Sequence, residues 1–263
     1  MKIESIKNAT FNEMKGEYPE VLYKYRKWKD INHKKVITQR ELFYSAPSWF
    51  EDPLDCKSIV RYDLLTQSEK IKWVEHKIRK SEPGKPNHYY RQKALHQFKS
   101  SPLANPESIK RLQQQTFDDY DVRIGILSLT QNPSNDKMWE KYSDNGNGFC
   151  VGFKSEILFT KLGGGGKVEY VKELPRVMPE PIHSHDQQAI FQIYYKEDKW
   201  NFEDEYRTHT FRWKPMTNEE RIIIVPPEAY SVIILGNKMP QKEKNQLKES
   251  IPNELRHVTI IEK

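Results

Sequence analysis

The chain has 263 residues, 36% of them hydrophobic, 12% aromatic and 30% charged with both signs interspersed, a composition that closes a core and argues against disorder. Lys and Arg outnumber Asp and Glu by 43 to 37, for a net charge of +6, which suits phosphate-bearing small molecules or nucleic acid. No run approaches the ~20 apolar residues of a membrane span, and the two cysteines, Cys56 and Cys150, lack a zinc-finger spacing, so a membrane protein and a zinc module are excluded and a cytoplasmic protein is expected.

Residues 1–20 read as a polar lead-in. Val-Leu-Tyr-Lys-Tyr-Arg, ending at Arg26, is an expected strand followed by a basic connection; between Val21 and Arg40 seven basic residues face one acid, Asp30. Glu41–Ala46 is a second expected strand, stopped by Pro47, and Ser48–Cys56 a turn around Pro53. Ile71, Val74 and Ile78 repeat at helical spacing and predict a helix over Gln67–Lys80. Pro83, Gly84 and Pro86 end it. A second helix follows over His88–Lys99, and a third starts at Asn105, where Asn suits the cap and Pro106 the first helical position.

Strand character returns at Arg123–Thr130. A short helix over Lys137–Tyr142 leads through Asn-Gly-Asn-Gly to a strand over Phe149–Phe153, with Phe149, Val151 and Phe153 on one face and Cys150 on the other. Gly163–Gly166 reads as a flexible loop and, lacking Gly-Lys-Ser/Thr, is no phosphate-binding P-loop. Lys167–Val171 is an expected strand and Gln187–Lys196 a helix. The tail alternates strand, strand, helix over Gln241–Glu249, and strand. The order predicts one α+β domain over 21–263, its core a mixed or antiparallel sheet, with a helical insertion over about 66–118 between the early and central strands.

Trp200–Arg207, Trp-Asn-Phe-Glu-Asp-Glu-Tyr-Arg, concentrates the candidate chemistry. If extended, it puts Glu203, Glu205 and Arg207 on one face. Three readings fit: a catalytic carboxylate at Glu205, oxygen ligands for a divalent cation, or a structural ion pair with Arg207. Asp52 and Asp55 sit in the Pro53 turn beside Phe50, where acids commonly hold a loop by local hydrogen bonds. Trp139 and Tyr142 lie three apart on one helical face, suited to a core or to stacking on a nucleotide ring. The histidines, including His183, His185 and His209, lack partners at ligand spacing, and no residues are assigned to a metal.

Leu22–Arg26, Ser45–Cys56, Met138–Phe153 and Trp200–Arg207, in that order, resemble the bacterial domain-of-unknown-function family twenty-nine seventy-one. Glu51 stands where that family has Asn, and Leu54 where it has a second Phe. The layout is similar to ADP-ribosyltransferase-like folds, although the early strand Leu22–Arg26 carries no His-x-Thr and the chain has no Ser-Thr-Ser. The resemblance implies an enzyme of bacterial defence or a toxin that uses NAD as substrate. It implies Glu205 and Tyr142 as catalytic residues and Lys24, Tyr25, Arg26 and Trp139 as NAD-binding residues. Phe50, Asp52, Asp55, Glu203 and Arg207 would support them, with nucleic acid or protein as acceptor. Two alternatives stay open: a metal-dependent nuclease built on Asp52, Asp55, Glu203 and Glu205, and a non-catalytic module binding nucleic acid or protein through the basic 21–40 segment.

Overall fold

The computed structural model of the chain describes residues 18–263. The lead-in expected over 1–20 falls outside the described residues up to position 17. Of the rest, Tyr18 packs edge-on against Phe159, ring centroids 4.7 Å apart, and so joins the core.

Along the chain run β1 (Val21–Arg26), α1 (Ile31–Thr38), β2 (Glu41–Phe43), α2 (Gln67–Ser81), α3 (Asn87–Gln97), α4 (Pro106–Arg123), β3 (Ile124–Thr130) and α5 (Asp136–Tyr142). There follow β4 (Phe149–Lys154), α6 (Ser155–Leu162), β5 (Gly166–Lys167), β6 (Glu169–Val171), α7 (His185–Ile193), β7 (Tyr195–Glu197) and β8 (Glu205–Phe211). The chain finishes with β9 (Ile222–Ile224), β10 (Tyr230–Leu235), α8 (Gln241–Glu249) and β11 (Thr259–Glu262). The main sheet has seven strands in the order β11-β10-β4-β1-β3-β8-β5. It is mixed: β10 and β11 run parallel and the other neighbours antiparallel. The α+β expectation holds, with α2, α3 and α4 inserted between β2 and β3.

The alternation expected of β4 decides how the sheet is covered. Phe149, Val151 and Phe153 enter the largest core with Leu22, Leu127 and Leu129, closed by Leu158 and Phe159 of α6 and Leu247 of α8. Cys150 points the other way, into a cluster with Tyr25, Ile234, Met138 and Trp139. The inserted helices keep an apolar cluster of their own around Trp73, Ile78, Tyr90 and Ile109. Their starts follow from local chemistry. Thr66 and Glu69 form a reciprocal capping box on α2, and the Asn105 side chain accepts from Ser108 N at 2.9 Å on α4, each such cap contributing about 1 kcal/mol.

Four local expectations need correction. The basic connection after β1 is helical: Asp30 caps α1 by accepting from Asn32 N and His33 N, and Val36 and Ile37 anchor it in the core. The helix expected through Lys196 ends at Ile193, and Lys196 lies in β7. Lys167–Val171 is divided, with Lys167 pairing with β8 and Glu169–Val171 with β7. The glycine run is structured rather than a free loop. Gly163 closes α6 at φ 81°, the left-handed conformation glycine adopts without steric cost, and a Cβ on Gly165 would meet the Arg207 carbonyl at 2.7 Å.

One irregularity in the sheet sets the position of everything that follows. β1 is laddered to β4 along its whole length, and β3 to β8 along its whole length. Between β1 and β3, however, the pairing is one position, Tyr23 opposite Thr130. Farther along the same edge of β3 the partner is Ser45, which exchanges both backbone hydrogen bonds with Ile126 at 2.9 Å. The sheet is therefore split, with β1 on one side of the gap and Phe43–Ser45 on the other.

Candidate functional site

A cleft of about 810 Å³ occupies that split. Lys24, Tyr25 and Arg26 line it from β1 and Lys27 from just after it, Phe43, Ser45, Trp49 and Phe50 from the opposite side, and Ser128, Tyr142, Lys196, Trp200, Glu203 and Glu205 from deeper in. Strand separation leaves the Ser128 carbonyl without a β1 amide, and the Lys24 ammonium takes its place at 2.5 Å. Tyr25 spans the same gap by donating its hydroxyl to Asn132 O at 2.8 Å.

The two cations of β1 are otherwise uncommitted. Lys24 and Arg26 donate to backbone carbonyls and, among the described residues, form no ion pair. Burial, reinforced by the neighbouring Arg26 charge, pulls Lys24 down to about 7 against the lift from Glu205 and Glu203. Burial lowers Arg26 to about 10, opposed by Asp30, so Arg26 stays charged at neutral pH while Lys24 is near its midpoint. Gly148 fixes the end of this wall, since a Cβ there would lie 2.1 Å from the Arg26 carbonyl.

The deep wall is a charge cluster that joins the turn at Asp55 to the segment 193–207. Lys196 Nζ sits 2.5 Å from Glu203 Oε2, 3.0 Å from Asp55 Oδ2 and 3.3 Å from Glu205 Oε2. Arg207, fully buried, clamps Glu205 with Nε at 2.7 Å and Nη2 at 2.9 Å. Its Nη2 also reaches both oxygens of Asp55 at 2.8 and 2.9 Å, and its Nη1 donates to Ile193 O at 2.6 Å. Paired ions with their hydrogen bonds met are the form in which charge tolerates burial. Burial pushes the Glu205 carboxyl up, but Arg207 and Lys196 overcome it and hold the group at about 2. The same acids, Glu205 and Asp55 first, lift Lys196 above the ordinary lysine value against its own burial.

Glu203 reaches the cluster by a different route from the extended strand expected. Asp198–Glu203 is a 3-10 turn, and Asp204 at φ 43° links it to β8, which starts at Glu205. That left-handed residue, held by Lys167 at 3.1 Å, brings the two glutamates to one ammonium. Glu203 gives its other oxygen to the Tyr142 hydroxyl at 2.5 Å, with Lys141 Nζ at 3.7 Å. Tyr142 is half-buried, and burial together with Glu203 raises its hydroxyl well above the ordinary tyrosine value.

Of the residues singled out in the sequence, Lys24, Tyr25, Arg26, Phe50, Asp52, Asp55, Tyr142, Glu203 and Glu205 line one cleft. Trp139 does not. Its ring is buried edge-on against Tyr25 at 5.1 Å and its indole N–H is spent on Pro133 O at 2.8 Å, so it packs behind the wall and offers a nucleotide no face. Arg207 also stands behind the surface, as the clamp on Glu205. The four acids of the metal reading do not act as a set. Asp55, Glu203 and Glu205 surround an ammonium, while Asp52 takes the Trp200 indole N–H at 2.5 Å. Among the described residues no group of three His, Cys, Asp or Glu side chains is placed to hold a metal ion. His209 lies against Tyr194 OH at 3.1 Å.

Lys196 and Trp200 are the residues that sequence reasoning missed. Trp200 lines the cleft with Lys141 Nζ 3.7 Å from its ring centroid, a cation–π contact that stiffens both. Its place beside Glu203 in a dense aromatic-acidic run was the available signal. For Lys196, one lysine in a three-residue strand, no signal existed.

The chain thus forms an α+β fold whose mixed sheet opens on a charged cleft. Comparison with protein-family models, curated proteins and solved structures finds no match. Among the described residues no helix is long and apolar enough to cross a membrane.

Proposed function

We propose that the protein is an enzyme of the ADP-ribosyl-transfer class, cleaving NAD between nicotinamide and ribose and passing ADP-ribose to water or to a macromolecular acceptor. The observation that carries this reading is the opposition, across one cleft, of two unpaired cations on β1 to a wall of fixed carboxylates and an aromatic ring. Arg26 and Lys24 suit a diphosphate, the guanidinium by its planar fork of donors. Tyr142 suits the nicotinamide face.

The bond to be broken sets what the deep wall must do. As the C–N bond lengthens, its electron pair leaves with nicotinamide, and positive charge develops on the ribose; a water or acceptor oxygen then adds at the anomeric carbon and loses its proton. Carboxylates held in place favour that charge without reorganising. Three carboxylates face two cations in the buried cluster, an excess of negative charge. Glu205, ionised at any physiological pH, supports this field and cannot serve as an acid. Glu203, hydrogen-bonded to the partly exposed Tyr142, is the carboxylate whose replacement tests the reading most cleanly, because it leaves the Arg207 clamp intact.

Incubation with NAD and chromatographic detection of nicotinamide is the test, run with and without a cell-lysate acceptor. Wild type should release nicotinamide, and Glu203→Gln should lower the rate at least tenfold, the scale of losing one electrostatic group, while circular dichroism at the assay temperature shows the variant folded. No release under either condition, or equal release by the variant, would overturn the proposal. A metal-dependent nuclease is not favoured by any contact in the cleft, because Lys196 already fills the centre of the acidic cluster.

A further inference from the structure

We propose that the mouth of the cleft docks single-stranded nucleic acid, and that such a strand is the acceptor of the transfer proposed above. The docking stands on the surface itself; only the acceptor role rests on that reading.

The two lips of the cleft differ in chemistry. One is predominantly cationic: Arg26, Lys27 and Lys35 line the cleft beside the carboxylate of Glu41, which lies 3.8 Å from Lys35, and the segment from Val21 to Arg40 carries seven basic residues against one acid. That acid, Asp30, is spent as the cap of α1, accepting from Asn32 N at 2.8 Å and His33 N at 3.3 Å. Lys27 is exposed and, among the described residues, has no acidic partner. A row of such charges attracts any polyanion.

The other lip supplies the discrimination. Phe43 and Trp49 stack at 5.7 Å with 19° between their planes, and both line the cleft. Trp49 is 54% exposed, although a large apolar ring normally gains by burial. It is also held in place, with the buried Arg221 guanidinium 5.0 Å from its ring centroid. An ordered, exposed indole facing a cationic lip has the two parts that single strands require: charge for the phosphates and a platform for an unstacked base. A duplex keeps its bases stacked and cannot offer one. An acidic peptide would satisfy the lysines and leave the indole unused, so the aromatic lip favours nucleic acid over protein.

The test is fluorescence anisotropy of a labelled oligothymidine titrated with the full chain, without NAD, at several salt concentrations. A duplex of equal length and polyglutamate serve as competitors. Binding should weaken with salt at a log–log slope of about −2 to −3, as expected for three to four phosphate contacts on a single strand. Lys27→Glu combined with Lys35→Glu should weaken it at least tenfold. Trp49→Ala should weaken it about tenfold without changing the slope, while the thermal midpoint confirms that this variant is folded. Absence of binding at low salt, equal competition by duplex or polyglutamate, or indifference to Trp49→Ala would each overturn the docking surface. Nicotinamide release reads the enzymatic proposal separately. A protein that binds the strand and leaves NAD intact keeps the docking surface and loses the acceptor role, whereas one that cleaves NAD without binding the strand keeps the enzymatic reading and loses both the docking surface and the acceptor role.

Discussion

The Lys24 ammonium crosses the gap between two strands of one sheet and donates to the Ser128 carbonyl at 2.5 Å, standing in for a backbone amide that the split has removed. A lysine in that role is both a strut of the cleft and part of its chemistry, because it carries the charge that an anionic ligand would meet.

That charge is pH-dependent in a useful range. Lys24 loses its proton at about 7, pulled down by burial and by Arg26, with Glu205 and Glu203 opposing and the Arg207 charge adding to the depression. Below 7 it is cationic, and above 7 neutral. The affinity for ADP-ribose, measured by calorimetry, should therefore fall by up to about tenfold between pH 6 and 8. Lys24→Arg, which stays charged, should flatten the profile, and a wild-type affinity constant across that range would refute the assignment.

Lys196 is the hub of the deep wall, in contact with Asp55, Glu203 and Glu205. Lys196→Met keeps much of the volume, leaves Asp55 and Glu205 to Arg207, and leaves Glu203 with the Tyr142 hydroxyl and the more distant Lys141. Removing one partner from a buried ionic cluster costs about 3–5 kcal/mol, so the urea midpoint at pH 7 should drop accordingly. Lowering the pH toward 5 should recover part of the loss, since acids deprived of their cation take up protons more readily. A drop below about 1 kcal/mol would mean the cluster is no structural keystone.

The extent to which all this was legible in the sequence follows physical lines. Elements with strong local signals came out near their true limits: β1, the Thr66-capped α2, the Asn105 cap of α4, and α8 over Gln241–Glu249. α1 did not, because only Val36 and Ile37 of its eight residues are buried and its basic run masks the period. The Glu203, Glu205 and Arg207 constellation was visible as a pattern: strand alternation in β8 puts Glu205 and Arg207 on one face, but Glu203 joins them through Asp204 at φ 43°. The partners that give it meaning, Asp55 and Lys196, arrive from a turn and a three-residue strand far apart in sequence. Such convergence is tertiary and leaves no trace in spacing. Trp139 erred in the opposite direction, since helical periodicity pairs it with Tyr142 but does not say which ring faces the cleft.

Acid stability should report on Glu205. Its carboxyl sits at about 2 when folded, against an ordinary 4.5, so the native state binds its proton less tightly than the unfolded chain. The resulting stabilisation, about 3 kcal/mol, is complete above pH 4.5 and is lost as pH falls through about 2. Glu205→Gln should abolish that part of the acid dependence, seen as a shallower decline of unfolding free energy between pH 4.5 and 2. The variant should also be less stable at neutral pH, because Arg207 loses one of its two carboxylates. An unchanged slope would place the acid sensitivity elsewhere.

The two thiols should be silent in the folded protein. Cys56 is 1% exposed and Cys150 fully buried, and burial drives both well above the ordinary thiol value. For Cys56 this burial prevails even though Arg207 Nη1 lies 2.9 Å from its sulfur and favours the thiolate. Since the thiolate is the reactive species, an aromatic disulfide reagent should label neither residue at pH 8 until the chain opens. Labelling should then follow the unfolding transition in urea. Lys196→Met should advance labelling of Cys56 more than that of Cys150, because Cys56 adjoins Asp55 in the weakened cluster while Cys150 packs with Tyr25 and Ile234 on the far side. Fast labelling of Cys56 in the native wild type would instead show a reactive thiolate stabilised by Arg207, and with it a nucleophile that burial has failed to suppress.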